Sequence, residues 1–166
     1  MKVRQRTLMN NKDKKELISR LTAKYGESIQ SILDKKTQIE YVRLENKEEI
    51  YLINGCPAIF ANNEIIIPML NFLGTQEFPI KTIVVDAGAI KFVSSGADVM
   101  RPGIVEIDAS IAKDECILIR EITHKKPLAV GIALYGGEEI KAMQTGRVVK
   151  NIHHVGDQYY SIAKEL

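Results

Sequence analysis

The chain is poor in the residues from which metal centres, redox sites and nucleophilic triads are built. Only two cysteines occur among 166 residues, Cys56 and Cys116, and no CxxC spacing exists. Such usage reads as reduced, buried thiols in a cytoplasmic protein and argues against structural zinc. Histidine is confined to His124, His153 and His154. On a strand the adjacent pair would point to opposite faces, one packed and one towards solvent, and could not jointly grip a metal. Long apolar runs are also missing. EIIIPMLNFLG, residues 64–74, is broken by Pro68 and falls short of the roughly 18–20 residues that span a bilayer, so no membrane partner is expected. The opening residues, MKVRQRTLMNNKDKKE, lack the apolar segment of a secretory signal. No internal repeat or low-complexity tract is present.

Residues 84–104, VVDAGAIKFVSSGADVMRPGI, have the strand–glycine–helix order of a phosphate-binding loop. The spacing rejects that reading. A Walker loop needs GxxxxGK[ST], whereas Gly88 is followed by Gly96 and then Ala97-Asp98, with no Lys-Ser/Thr; GxGxxG is absent too. Ser94 and Ser95 lack the G-x-S-x-G elbow that exposes an attacking hydroxyl. No paired carboxylates stand out, and residues 1–80 hold no histidine, one cysteine and no dense acid cluster. The expectation is a protein without catalysis and without a cofactor.

Composition is otherwise that of a globular chain: 45% hydrophobic, 27% charged, net charge +2. The basic excess is concentrated at one end. Residues 1–15 carry Lys2, Arg4, Arg6, Lys12, Lys14 and Lys15 against Asp13 alone, while residues 81–166 balance at 11 basic and 11 acidic groups. Such a cluster is either a solvated, partly frayed terminus or a contact for a polyanion.

Asn10 or Asn11 can cap a helix reaching Tyr25, with Leu17, Ile18 and Leu21 on one face and Gly26 as the stop. Ser28 is expected to cap a shorter helix. From Thr37 the period changes to two, giving strands around Ile39–Leu44 and IYLI, with Asn54-Gly55 as a type I′ hairpin pair and PAIF returning. NEIII follows as a strand, and Pro68 is expected as the first residue of a short helix. GTQEFPIK has a linker's composition. Beyond the quoted stretch come GIVEID, ECILIREI and PLAVGIALY, a polar helix GEEIKAMQTG, and the closing VVKNIHHVGDQYYSI. Short strands with frequent turns favour a small barrel or sandwich. The fold class expected is α+β: a small α+β unit over residues 1–78, then a β unit with short helices over 79–166.

Gly88, Gly96 and Gly103 flank a helix bracketed by Lys91 and Arg101, with Ser94 and Ser95 adding hydroxyls. A phosphodiester backbone could pass close to such glycines, and close packing would use them equally well. The residues alone leave both open. Asp86, Gly88, Ala89, Phe92, Gly96, Ala97 and Pro102-Gly103, then Ala129-Val130-Gly131, Gly137-Glu138-Glu139 and Gly146, resemble the PUA domain. That domain is a small RNA-binding pseudobarrel, and the likeness covers about residues 81–166. With a short α+β module ahead of it, and with GAIKFVSSGADVMRPG and NIHHVGDQYY, the chain is similar to the malignant-T-cell-amplified-sequence family, which has archaeal relatives.

The resemblance implies a non-catalytic protein that binds tRNA and the small ribosomal subunit in initiation, reinitiation or recycling, with a density-regulated-type translation factor as partner. An accessory role in tRNA or rRNA modification is the alternative. RNA-contacting positions carried over by the resemblance are Lys91, Ser94, Ser95, Gly96, Ala97, Met100, Arg101, Pro102, Gly103, Lys150 and His153. Met100 either fills the barrel or offers an apolar face to a terminal base. Lys2, Arg4, Arg6, Lys12, Lys14 and Lys15 would form a second basic contact, with ribosomal RNA.

Overall fold

The first long helix begins where the sequence offers a cap. In α1 (Asn11–Tyr25) the Asn10 side chain accepts the Asp13 N–H at 2.8 Å, and Gly26, at φ +98°, closes the far end. Leu17 and Leu21 are buried on its inner face. The computed structural model describes residues 1–166, which divide into two units: Met1–Pro79 with Ile162–Leu166, and Ile80–Ser161.

The first unit is an antiparallel five-stranded sheet ordered as in the sequence: β1 (Val3–Leu8), β2 (Ile39–Leu44), β3 (Glu49–Ile53), β4 (Cys56–Ala61) and β5 (Ile66–Pro68). Asn54 and Gly55 have φ of 49° and 82°, the two left-handed positions of a type I′ turn, so β3 and β4 form the hairpin read from the sequence. α1 and α2 (Ile29–Ile32) cover one face, where Leu17, Leu21, Ile29, Ile39, Ile53 and Ile59 share a core.

Three local expectations are corrected. The basic N-terminal stretch is not a frayed end: β1 pairs with β2 from Val3↔Leu44 to Leu8↔Glu40. All six of its side chains stay exposed, so backbone hydrogen bonds rather than burial hold it, and no apolar periodicity could announce it. Ser28 occupies the N-cap position of α2 in a helical conformation and makes no capping bond. Pro68 ends β5 instead of opening α3 (Leu70–Leu73), whose N-cap is Met69. As the last residue of an edge strand, Pro68 needs no N–H there.

The second unit is a curled six-stranded sheet. Its elements are β6 (Lys81–Val85), α4 (Ala87–Val93), β7 (Val99–Met100), a 3₁₀ turn Arg101–Gly103, β8 (Ile104–Ile107), β9 (Cys116–Glu121), β10 (Pro127–Ala133), α5 (Gly137–Ala142) and β11 (Arg147–His154); α6 (Gln158–Glu165) begins in this unit, and its residues from Ile162 on are counted with the first. The strand order is β7-β11-β10-β9-β6-β8. Only β6 and β9 run parallel, because the chain between them crosses over through α4 and β8 before returning. Ile83, Val85, Val93, Val99, Ile117, Ile119 and Val149 fill the interior. With its α+β companion this is the architecture expected of a PUA pseudobarrel.

Two contacts set the geometry at the C-terminal strand. Gly131 lies opposite Asn151 at a register shift in the β10–β11 ladder, and a Cβ there would fall 2.6 Å from Val149 Cγ1 and 2.7 Å from the Lys150 carbonyl. Asp157 ties the end of β11 to α6, a helix absent from the sequence reading. Its Oδ1 accepts the Tyr160 N–H at 2.7 Å, and its Oδ2 accepts the His154 N–H at 2.9 Å and meets His153 Nδ1 at 2.8 Å. Burial pushes the Asp157 carboxyl up, but the His153 contact and the two backbone bonds outweigh it and hold it below the usual carboxylate range.

Gly131→Ala is expected to lower stability by about 1–3 kcal/mol, the ordinary cost of overpacking a filled site, read as a fall in Tm. Asp157→Ala removes a helix cap, with an expected loss of about 1 kcal/mol at neutral pH. Since the folded-state pKa of Asp157 is depressed, its contribution is full above the unfolded value near ~3.9 and disappears as pH falls through the folded value. Thermal denaturation of both proteins between pH 7 and pH 2 should therefore show the gap closing on the acid side.

Candidate nucleic-acid interface

Helix α4 is short, and its ends are fully specified. Asp86 accepts the Ala89 N–H at 2.9 Å. At the other end the Ala97 N–H reaches Phe92 O and the Gly96 N–H reaches Val93 O, the paired bonds of a Schellman closure with Gly96 at φ +93°. Ser94 Oγ and Ser95 Oγ turn back to Ile90 O (2.6 Å) and Lys91 O (2.7 Å), finishing the helix. Gly96 is needed twice over: besides its φ, a Cβ would lie 2.9 Å from His154 Nε2. His154 Nδ1 donates to Val155 O at 3.0 Å, which turns Nε2 towards the loop.

The loop after α4 is tied to β11 by side chains. Asn151 Nδ2 donates to Val93 O and Ala97 O, both at 3.0 Å, while its backbone N–H donates to Asp98 Oδ1 at 2.8 Å. Arg147 Nη1 pairs with Asp98 Oδ2 at 3.0 Å. Between this tie and the helix lies an open recess of about 440 Å³, lined by Ala89, Phe92, Val99, Met100 and Gly103 with Asp98 and Arg147 at its polar end. Phe92 and Met100 are 57% and 51% exposed. Single exposed apolar residues are ordinary, but two facing one concavity are not. Lys91 Nζ stands 5.0 Å from the centre of the Phe92 ring.

The residues singled out from the sequence separate into two groups. Ala97, Met100 and Gly103 line the recess, Lys91 stands at its rim through Phe92, and Gly96 shapes the adjoining loop. Met100 is exposed, which resolves its open assignment against barrel filling. Ser95, Pro102 and Lys150 are exposed, and Ser94 is half-buried.

Arg101 and His153 are corrections. Arg101 Nε donates to Ile140 O at 2.6 Å, with Nη1 and Nη2 near Ile104 O and Lys141 O. Its cation is committed to the carbonyl end of α5, where a positive charge is favoured. His153 is 1% exposed and engaged with Asp157, with Tyr159 edge-on to its ring, so no ligand reaches it. Sequence reading missed Phe92 as an exposed ring of the recess, along with the parts played by Asp98, Arg147, Asn151 and His154. The signal for Phe92 was available: Ala89, Ile90 and Val93 turn one helical face inward and leave position 92 outside.

In the first unit, Lys2, Arg4, Lys12 and Lys15 are exposed. Arg6 is instead paired with Glu40 at 2.7 and 3.1 Å. Lys14 is another correction: it is 9% exposed, its Nζ donating to the Thr37 and Lys35 carbonyls. A second recess, about 390 Å³, lies beside Tyr41 and Tyr51, whose hydroxyls both donate to Glu49 (3.0 and 2.8 Å). Asn10 and Asp13, also in its lining, are bonded to each other. No group of three or more His, Cys, Asp or Glu side chains is placed to hold a metal.

Comparison with known proteins agrees with this architecture. Residues 81–155 match the PUA domain, and residues 5–75 match a domain of unknown function, DUF1947. An uncharacterized protein of Methanocaldococcus jannaschii is 38% identical over 97% of this chain and 98% of its own length. Translation machinery-associated protein 20 of Saccharomyces cerevisiae is 32% identical over 86% of this chain and 82% of its own. Malignant T-cell-amplified sequence 1 of Rattus norvegicus is likewise 32% identical, over 78% and 74%. A hypothetical protein of Pyrococcus horikoshii superposes with a TM-score of 0.82 at 32% identity, covering 96% of this chain and 99% of that one. With a DUF1947 domain preceding a PUA domain and relatives matched along most of their length, the chain belongs to the malignant-T-cell-amplified-sequence family, which includes translation machinery-associated protein 20.

Proposed function

We propose that the chain is an RNA-binding factor of the translation machinery, and that its PUA domain, residues 79–166, takes the unpaired end of a structured RNA. The observation that carries this reading is the recess in which exposed Phe92 and Met100 lie, with Lys91 beside the Phe92 ring. A base can stack on Phe92, since stacking on an aromatic face needs no particular base identity. Lys91 neutralises a phosphate next to it. The major groove of double-stranded RNA is too deep and narrow for such a site to read, whereas a single-stranded terminus offers unstacked bases. A tRNA acceptor end has that chemistry.

The names of the relatives support a place in translation. In this reading the unit formed by residues 1–78 supplies a second, electrostatic contact through Lys2, Arg4, Lys12 and Lys15, and ribosomal RNA of the small subunit is its target. The step served is initiation, reinitiation or recycling, performed in the cytoplasm without catalysis by this chain and with a density-regulated-type factor as partner.

Binding to a purified tRNA, intact and with its 3′ end trimmed, across a salt series tests the proposal. Phe92→Ala should weaken binding by about 1–3 kcal/mol, the usual contribution of one stacked base. Lys91→Ala should lower the slope of log affinity against log salt by about 0.7, one phosphate contact on a single strand. Binding indifferent to trimming and to both substitutions would overturn the acceptor-end assignment. For the second contact, Lys12→Glu/Lys15→Glu should reduce co-sedimentation with small ribosomal subunits; an unchanged profile would remove that segment from the interface.

A further inference from the structure

The turn joining β9 to β10 is built with more care than a surface hairpin requires. Glu121 is only 7% exposed, although it stands at a strand end. Its carboxylate accepts three consecutive-loop N–H groups: Thr123 at 2.7 Å, His124 at 2.6 Å and Lys126 at 3.1 Å. Burial pushes this carboxyl up, and the Lys126, His124 and Thr123 bonds together bring it below the usual range, so it remains an anion inside the loop. Its own N–H closes the turn on Lys126 O, and Arg120 Nη1 donates to Lys125 O at 2.7 Å. Lys125 is held at φ +56°, a conformation a lysine adopts only under such constraint.

The result is a stiff tip in which Glu121 takes up the Thr123, His124 and Lys126 N–H groups and the cations are exposed. Lys125 and Lys126 are exposed, as are His124 and Ile122, the latter by 40%. The acids nearby do little to cancel them. Glu121 is spent on the loop, and the Lys125–Glu106 pair at 2.7 Å is exposed on both sides, a pairing easily exchanged for a better anion.

The position of this tip matters as much as its charge. Ala129 of β10 pairs with His154, and the Val155 N–H donates to Leu128 O at 3.0 Å, so the start of β10 lies against the end of β11. His154 in turn lies against Gly96. The α4–β7 loop, the end of β11 and the β9–β10 tip therefore follow one another along one end of the sheet, at steps of roughly 4.8 Å per strand.

We infer that the 121–126 turn is a second RNA-binding element of the PUA domain: a preformed cationic tip in which Lys125 and Lys126 bind phosphates of the RNA strand as it runs on from the Phe92 recess past Gly96 and His154. It rests on the reading of that recess as the seat of an RNA end. Because the tip contributes charge and no base contact, it adds affinity without adding sequence preference.

The test uses the full chain and a tRNA transcript with an intact 3′ end, titrated across a salt series. Lys125→Glu and Lys126→Glu are made singly, with Lys113→Glu as a control of equal charge change on the turn preceding the opposite end of β9. The expected result is several-fold weaker binding and a salt slope lower by about 0.7–0.9 for each of the first two. The control should keep the wild-type slope, and all three should retain the preference for intact over trimmed tRNA. Unchanged slopes at Lys125 and Lys126, or an equal loss in the control, would overturn the inference while leaving the recess assignment standing. Were wild-type protein to bind the transcript without regard to trimming or to Phe92, the recess reading itself would fall, and the track from it to the tip with it.

Discussion

Asn151 holds the loop after α4 onto β11 by two side-chain bonds to Val93 O and Ala97 O, and its N–H takes Asp98 as an acceptor. Strand pairing alone could not do this. β7 is two residues long, and its ladder with β11 is irregular, Arg147↔Met100 and Val149↔Val99 with a shift between them. The side-chain tie takes over where the ladder runs out, bonding one carbonyl at the helix end and one in the loop. Recess walls, exposed Phe92 and the seat of Gly96 on His154 all follow from where that loop is pinned. A recess built this way is preformed, so a ligand does not have to order it at the moment of binding.

Charge is apportioned by the same logic. The chain's cations divide into those that serve the fold and those left to solvent. Lys14 and Arg101 terminate backbone carbonyls, and Arg6 pairs with Glu40 across the edge of the sheet. A buried cation needs such partners, because an unpaired one would carry a large desolvation cost. Lys91, Lys126 and the exposed members of the N-terminal cluster remain for a polyanion, and Lys125 has only its solvent-exposed pair with Glu106. Net charge of +2 therefore understates how the available positive surface is distributed.

Much of the fold was legible because its signals are local. Asn10 and Gly26 bound α1, Asn54-Gly55 bends the β3–β4 hairpin, and Asp86 starts α4, each through bonds within a few residues. The elements that were missed have no such signal. β1 buries none of its side chains and is defined by pairing with a strand more than thirty residues away in sequence. Helix α6 depends on Asp157 meeting both His153 and the first turn of the helix, a convergence that residue type alone does not announce. Pro68 fitted a strand end as well as a helix start, and the sheet chose.

By itself the sequence determined the α+β class, the short-strand β unit behind a small α+β unit, the absence of nucleotide-loop spacing, and the glycine-flanked helix that carries the candidate site. These are matters of period, capping and spacing along the chain. Only the tertiary structure decided which side chains the site contains. Whether Arg101 offers its charge to a ligand depends on the carbonyls of α5, some forty residues away, and whether His153 does depends on Asp157 and on burial. Phe92 and Met100 become a recess only when β7 and β11 bring Asp98 to Arg147. Exposure and pairing are properties of neighbours in space, and a linear order of residues does not state who those neighbours are.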